Sequence, residues 1–127
     1  MEILNSIING TLKALIVDDE VDICFLLSGI LRQKQLKPSF VNNLAGAKES
    51  LQKDTPSILF LDNHLPDGRG IDFIPYVRKN YPGIKIVMIT AHDTPEDRKR
   101  SYENGVDYFL SKPFSRHQIN EIIEPLL

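Results

Sequence analysis

The stretch LKALIVDDE, residues 12–20, joins a short apolar run rich in branched side chains to three consecutive acids. A nearly continuous apolar run of this length is typical of a strand that is buried on both faces. Such strands occur in parallel sheets that are covered by helices on both sides. We therefore take residues 12–17 as a sheet strand and ask whether the pattern recurs.

The same kind of run recurs three times, as SILFL at 57–61, IKIVMI at 84–89 and VDYFL at 106–110. A weaker strand is predicted at 38–41, where Pro38 stands at the start, a position that tolerates proline. Segments with helical periodicity follow the strands, at 20–35, 44–53, 71–80, 95–104 and 115–124. This strict alternation predicts an α/β fold with an open, five-stranded parallel sheet and helices on both faces.

Local signals mark the ends of several helices. Thr94 is a candidate N-cap with Pro95 at the first helical position, Gly105 is a helix stop, and Ser115 is another N-cap. Pro75 lies inside the segment 71–80, so that helix is expected to bend there or to begin later.

Length and charge exclude several classes of protein. The chain has 127 residues and a net charge of −2, which argues against a strongly basic nucleic-acid binder. The single Cys24 excludes an internal disulfide, and the absence of a long apolar run or a basic leader points to a cytoplasmic protein. One domain is expected over 12–127. It follows an N-terminal extension, residues 1–11, which we interpret as a helical turn, a partner-binding arm or a loose terminus.

Polar residues follow the strands at the sheet edge where ligands bind in such folds. The set comprises Asp18, Asp19, Asp62, Thr90 and Lys112. Carboxylates and a backbone carbonyl suit Mg²⁺, and two carboxylates about 4 Å apart would otherwise repel by roughly 4 kcal/mol at an effective dielectric of about 20. A carboxylate beside a cation and an ammonium can attack phosphorus, while a hydroxyl and main-chain N–H groups bind the phosphoryl oxygens. Taken singly, each of these residues is also explained as a turn, cap or surface residue.

At these positions the sequence resembles the receiver domain of two-component response regulators. The resemblance covers about residues 12–125 and rests on LIVDDE at 15–20, Asp62-x-x-x-Pro66-x-x-x-Gly70, Thr90-Ala91 and Lys112-Pro113-Phe114. It implies a flavodoxin-like, doubly wound (βα)₅ fold with strand order 2-1-3-4-5.

The resemblance also implies a role for each matching residue at a Mg²⁺ (or Mn²⁺) site. Asp62 would be the phosphoacceptor. Asp18 and Asp19 would form the acidic pair, with Asp19 favoured as the direct ligand, and the main-chain carbonyl of His64 would complete the ligands.

Four further residues would bind phosphate or take part in switching. Thr90 and the adjacent Ala91 would meet the phosphoryl group, Lys112 would pair with it, and Phe109 would be the rotating switch aromatic, although plain core packing also explains a phenylalanine there. The Lys112–Pro113 peptide bond would be cis.

The family's mechanism implies partners and not an enzyme for external substrates. A histidine kinase or phosphotransfer protein would donate the phosphoryl group, and the face formed by 95–104, 106–110 and 115–124 would then change. That face would act on an effector protein or on an output domain outside this chain, or form a homodimer, without direct nucleic-acid or membrane contact. The run Arg98-Lys99-Arg100 on it is either a solvated helix face or a docking patch.

Two histidines distinguish this sequence within that scheme. His64 and His92 stand two residues after Asp62 and Thr90. They are interpreted either as loop side chains that face water or as groups that tune the lifetime of the aspartyl phosphate.

Two alternatives to the switch remain. A pseudo-receiver would bind partners without phosphate, although the complete set of acids, Thr90 and Lys112 argues against it. An aspartyl-phosphate hydrolase would need a second acid at position 64, where this chain has histidine.

Overall fold

The computed structural model describes residues 12–127, so the proposed extension at 1–11 lies outside the described residues. Strands and helices alternate along this part of the chain: β1 (Lys13–Val17), α1 (Val21–Gln33), β2 (Lys37–Val41), α2 (Leu44–Lys53), β3 (Ile58–Asp62), α3 (Gly70–Asn80), β4 (Lys85–Thr90), α4 (Pro95–Asn104), β5 (Tyr108–Ser111) and α5 (Arg116–Ile123). A short 3₁₀ turn at Glu124–Leu126 follows. Between β3 and α3, the segments His64–Leu65 and Gly68–Arg69 pair as a small antiparallel hairpin that the sequence pattern did not predict.

The five main strands form one parallel sheet in the order β2-β1-β3-β4-β5, which confirms the predicted fold and strand order. Alternate residues of β1 point to opposite faces. Leu15 and Val17 join the core under α2 and α3, whereas Ala14 and Ile16 join the core under α1 and α5. Burial on both faces explains why this strand reads as a continuous apolar run.

The predicted helix ends are confirmed. The hydroxyl of Thr94 accepts a hydrogen bond from the N–H of Asp97, and that of Ser115 accepts from Gln118 in a reciprocal capping box. Gly105 ends α4 with φ of 108°, a left-handed conformation that glycine adopts without steric cost. These caps place the loops before and after β5 at defined positions on the sheet edges.

Two element boundaries bear on the sequence prediction. The helix α3 runs through Pro75 and starts at Gly70, so the later start that was one of the two expectations is wrong. The strand β5 starts two residues later than predicted, at Tyr108, because the N–H of Val106 bonds back to the carbonyl of Ser101 and belongs to the turn that closes α4.

Across residues 12–127, no helix combines the length and the apolar character that a membrane crossing requires.

Candidate functional site

The carboxyl edge of the sheet brings together side chains that are far apart in sequence. Asp18 follows β1, Asp62 is the last residue of β3, and Lys112 follows β5. The Lys112 ammonium lies 2.9 Å from a carboxylate oxygen of Asp18 and 3.7 Å from one of Asp62. All three side chains are less than a tenth exposed, so they interact in a partly dehydrated environment where charges act strongly.

Three carboxylates meet at this edge. Asp18, Asp19 and Asp62 each offer one oxygen, and these oxygens lie within 4.8 Å of one another. Asp18 and Asp62 are buried, whereas Asp19 is exposed. Hard oxygen ligands from two or three carboxylates are the donor set that Mg²⁺ or Mn²⁺ prefers, so these residues fit a divalent cation.

Burial and neighbouring charges change the acidity of Asp18 and Asp62. Burial and the neighbouring charge of Asp18 raise the pKa of Asp62 to about 6, although Lys112 and the N–H of His64 lower it in part. Burial also raises the pKa of Asp18, against the opposing effects of the Glu20 N–H and Lys112. Negative charge at this edge is therefore costly without a further cation, which is the electrostatic signature of a metal or phosphate site.

The Lys112 side chain stays protonated in these surroundings. Burial alone would lower its pKa, but the bond to Asp18 and the charge of Asp62 raise the pKa overall. Glu20, whose carboxylate lies 3.6 Å from the ammonium, adds to the effect. The lysine is therefore charged at neutral pH and can pair with an anionic group bound at Asp62.

The residue after the central aspartate fixes the next helix. The carbonyl of Asn63 accepts from the N–H of Gly70 at 2.9 Å, and its side-chain oxygen accepts from the N–H of Ile71 at 3.0 Å. A Cβ atom at Gly70 would overlap the carbonyl oxygen of Asp62, so only glycine allows this approach. The sequence pattern gave Asn63 no role, although its place at a strand end is the signal that could have identified it.

Thr90 and the two histidines line the neighbouring part of the edge. Thr90 is fully buried, and its hydroxyl oxygen accepts from the N–H of His92 at 3.1 Å. The rings of His64 and His92 are in contact, with centroids 4.4 Å apart. Burial, His92 and Arg69 together lower the pKa of His64. Ala91, between Thr90 and His92 in the sequence, is exposed.

Phe109 is buried in β5 and belongs to the core under α2 and α3. The guanidinium of Arg98 lies 4.6 Å from the ring centroid and also pairs with Asp93 at 2.6 Å. The hydroxyl of Ser111 donates to the same aspartate. Arg98 therefore has partners within the chain although its side chain is 44% exposed. Lys99 and Arg100 are exposed as well, so the run 98–100 lies on a solvated helix face. After Ser111, the Lys112–Pro113 peptide bond is cis.

The family model described as the response regulator receiver domain matches residues 14–124, nearly all of the chain that carries this sheet and this edge. The chain belongs to that family. Receiver domains are signalling domains of two-component systems, and the family predicted from the sequence motifs is thereby confirmed.

Similar proteins agree with this assignment. The receiver domain is 33% identical to the response regulator protein PilR of Pseudomonas aeruginosa, over 91% of this chain and 26% of PilR. It is also 33% identical to the phosphate regulon transcriptional regulatory protein PhoB of Escherichia coli, over 84% of this chain and 48% of PhoB. The chain thus spans about half or less of the length of these relatives. A solved structure, the beryllofluoride-activated NtrC4 receiver domain dimer, matches with a TM-score of 0.85 and 30% identity over 89% of this chain and 93% of that one.

Proposed function

We propose that this receiver domain is a phosphorylation-dependent switch in which Asp62 accepts a phosphoryl group. The observation that carries the proposal is the position of the Asp62 carboxylate, buried beside Asp18 and 3.7 Å from the Lys112 ammonium. A pKa near 6 leaves this carboxylate mostly ionised at neutral pH, as a nucleophile requires.

The donor would be a phosphohistidine on a histidine kinase or phosphotransfer protein. A carboxylate oxygen of Asp62 forms the new P–O bond while the P–N bond breaks, and its electron pair stays on the imidazole, which takes up a proton. Lys112 pairs with the added negative charge, and the buried Thr90 hydroxyl has its proton available for a phosphoryl oxygen. Ala91, next to Thr90, contributes main chain at the same edge.

Asp18, Asp19, Asp62 and the carbonyl of His64 would hold Mg²⁺ or Mn²⁺. When bound, the cation neutralises negative charge on the carboxylates and on the transferred group. The three carboxylate oxygens that lie within 4.8 Å of one another support this assignment. The pKa of Asp62, raised first by burial and then by the charge of Asp18, agrees with it.

The output would come from the face formed by α4, β5 and α5. Phosphorylation would draw Thr90 towards the new group, and Phe109 would move into the space that Thr90 leaves. The contact between Arg98 and the Phe109 ring supports a link from this aromatic to α4. The changed face would bind an effector protein or an output domain outside this chain, or it would form a homodimer, as in the name of the NtrC4 relative.

Incubation with acetyl phosphate and Mg²⁺, followed by intact mass measurement, tests the proposal. We expect one added phosphate in the parent protein and none in Asp62→Asn. A parent that gains no phosphate would indicate a phosphorylation-independent pseudo-receiver. Rapid, continuous consumption of acetyl phosphate would indicate an aspartyl-phosphate hydrolase.

A further inference from the structure

The carbonyl oxygen of Asp18 accepts two side-chain hydrogen bonds. The amide nitrogen of Asn42, the first residue after β2, donates to it at 2.8 Å. The thiol of Cys24, in the first turn of α1, donates at 3.3 Å. Two different elements therefore hold one main-chain carbonyl immediately before the exposed acid of the site.

The position of Asn42 follows from where the strand ladder stops. The last paired residues of β1 and β2 are Val17 and Val41, and the N–H of Asp18 still donates to the Val41 carbonyl at 3.1 Å. The chain then turns into α2, with Asn43 as the N-cap of that helix. Where the strand pairing ends, the side chain of Asn42 supplies the hydrogen bond to the Asp18 carbonyl.

The Cys24 thiol is suited to a donor role. It is completely buried, and burial together with the charge of Asp18 raises its pKa to about 11. The sulfur therefore keeps its proton at neutral pH and can donate it to a carbonyl.

A fixed Asp18 carbonyl constrains the next residue, because the carbonyl shares a rigid peptide plane with the nitrogen and Cα of Asp19. The Asp18 carboxylate is itself held by the N–H of Glu20 and by Lys112, each at 2.9 Å. The Asp19 side chain is exposed and starts from this fixed backbone. The direction of its carboxylate thus depends on the peptide that Asn42 and Cys24 hold.

We propose that Asn42 is a positioning residue for the acidic pair. Its side-chain amide, assisted by the Cys24 thiol, holds the Asp18–Asp19 peptide so that the Asp19 carboxylate faces a divalent cation. This inference rests on the proposed function, which requires that cation. Outer donors of this kind commonly change metal affinity when they are removed, although they do not touch the metal.

The test is a calorimetric Mg²⁺ titration of the unphosphorylated full chain. Asn42→Leu keeps the branched shape of the side chain without the donor, and we expect it to weaken Mg²⁺ binding about tenfold. Cys24→Ala removes the longer bond and should weaken binding in the same direction by a smaller factor. Asn43→Ala is the matched control, because it removes the α2 cap bond to the Gly46 N–H at 2.7 Å and lowers stability without touching Asp18.

Saturating Mg²⁺ should restore phosphorylation of Asn42→Leu, since only affinity is lowered. Parent-like Mg²⁺ affinity in both Asn42→Leu and Cys24→Ala would overturn the positioning role. Equal weakening in Asn43→Ala would also overturn it, because the effect would then follow general stability. A parent that binds Mg²⁺ and responds to Asn42→Leu, but takes no phosphate, would overturn the proposed phosphorylation and leave the positioning role standing.

Discussion

The side-chain amide of Asn104, the last residue of α4, donates a hydrogen bond to the carbonyl of Ile71 in α3 at 3.0 Å. In an uninterrupted helix this carbonyl accepts from the N–H four residues later, but residue 75 is a proline and has no N–H. Asn104 therefore satisfies the acceptor that Pro75 leaves without its usual partner. Pro75 interrupts the hydrogen bonding of α3 and thereby allows a hydrogen bond from α4 to α3.

Other attachments of α4 to α3 and its hairpin are also polar. Within α4 only Ser101 is buried, so the helix has no apolar side chain in the core. Asp97 pairs with Arg69 at 3.0 Å, and Arg100 pairs with Asp72 at 3.2 Å. Partly exposed ion pairs are weak and are screened by salt. The position of α4 thus depends on a few polar contacts, so we expect it to be displaced more easily than the helices that bury apolar side chains.

Asn104→Leu should loosen α4 selectively. The substitution removes the amide and leaves the Ile71 carbonyl unsatisfied, at a cost of about 1–2 kcal/mol in the free energy of unfolding. Hydrogen exchange should accelerate most for the amides of residues 95–104. Lys99→Ala, at a side chain that is 80% exposed, is the control and should change neither quantity. Uniform acceleration across all helices would contradict this prediction.

Gly70→Ala should damage both stability and the site. The added methyl group would press on the Asp62 carbonyl and on the Leu61 side chain, and such overpacking costs about 1–3 kcal/mol. Displacement of the Asp62 main chain should also slow labelling by acetyl phosphate. Gly29→Ala is the matched control, since a Cβ atom there has nothing within 4 Å and should stabilise α1 by about 0.5–1 kcal/mol. Urea unfolding of both variants checks the opposite signs.

Strand-end chemistry is the part of the site that the sequence predicts well. Continuous apolar runs locate β1, β3 and β4, and parallel strands place their carboxyl ends at one edge. Asp18, Asp62 and Thr90 are therefore identified together at the ends of these strands, and Lys112 follows the shorter run of β5 at the same edge. The predicted juxtaposition of Asp18, Asp62 and Lys112 is what the structure contains.

Contacts between side chains of different elements are not predictable in this way. The bonds from Asn42 to Asp18 and from Asn104 to Ile71 depend on the distance between neighbouring elements, which no local pattern specifies. The sequence predicts Arg98 as a surface charge because its helix is polar, yet its guanidinium contacts the Phe109 ring. Such contacts arise from packing, so they become visible only in the folded chain.

Asp62→Asn should stabilise the metal-free protein at neutral pH. A pKa raised to about 6 means that the folded state binds this proton more tightly than the unfolded state, so ionisation destabilises the fold as pH rises from the ordinary value of 3.8 through 6. The difference between these two pKa values corresponds to about 3 kcal/mol, an upper limit for the gain on substitution. The advantage of the variant should be full at pH 7 and fade towards pH 4.

Melting curves with and without Mg²⁺ check the same prediction. Mg²⁺ should raise the Tm of the parent more than that of Asp62→Asn, because the variant has lost one carboxylate of the cluster. Asp54→Asn is the charge-matched control, since Asp54 is exposed and pairs with Lys13 at 2.7 Å away from the site. It should be neutral or slightly destabilising. An unchanged Tm for the parent and for Asp62→Asn in both conditions would show that the acids do not act as one site.

The paired imidazoles of His64 and His92 should lengthen the life of the aspartyl phosphate. They follow Asp62 and Thr90 by two residues, and their rings are in contact at the same sheet edge. Both residues are exposed, and we expect the pair to occupy space from which water would approach a phosphoryl group on Asp62. The double variant His64→Ala/His92→Ala should therefore lose its phosphate several-fold faster than the parent, as followed by intact mass after acetyl phosphate is removed. His117→Ala is the control, because His117 lies in α5 and is 80% exposed, paired with Glu121. Parent-like decay of the double variant would mean that the histidines only face water, the other interpretation that their positions allow.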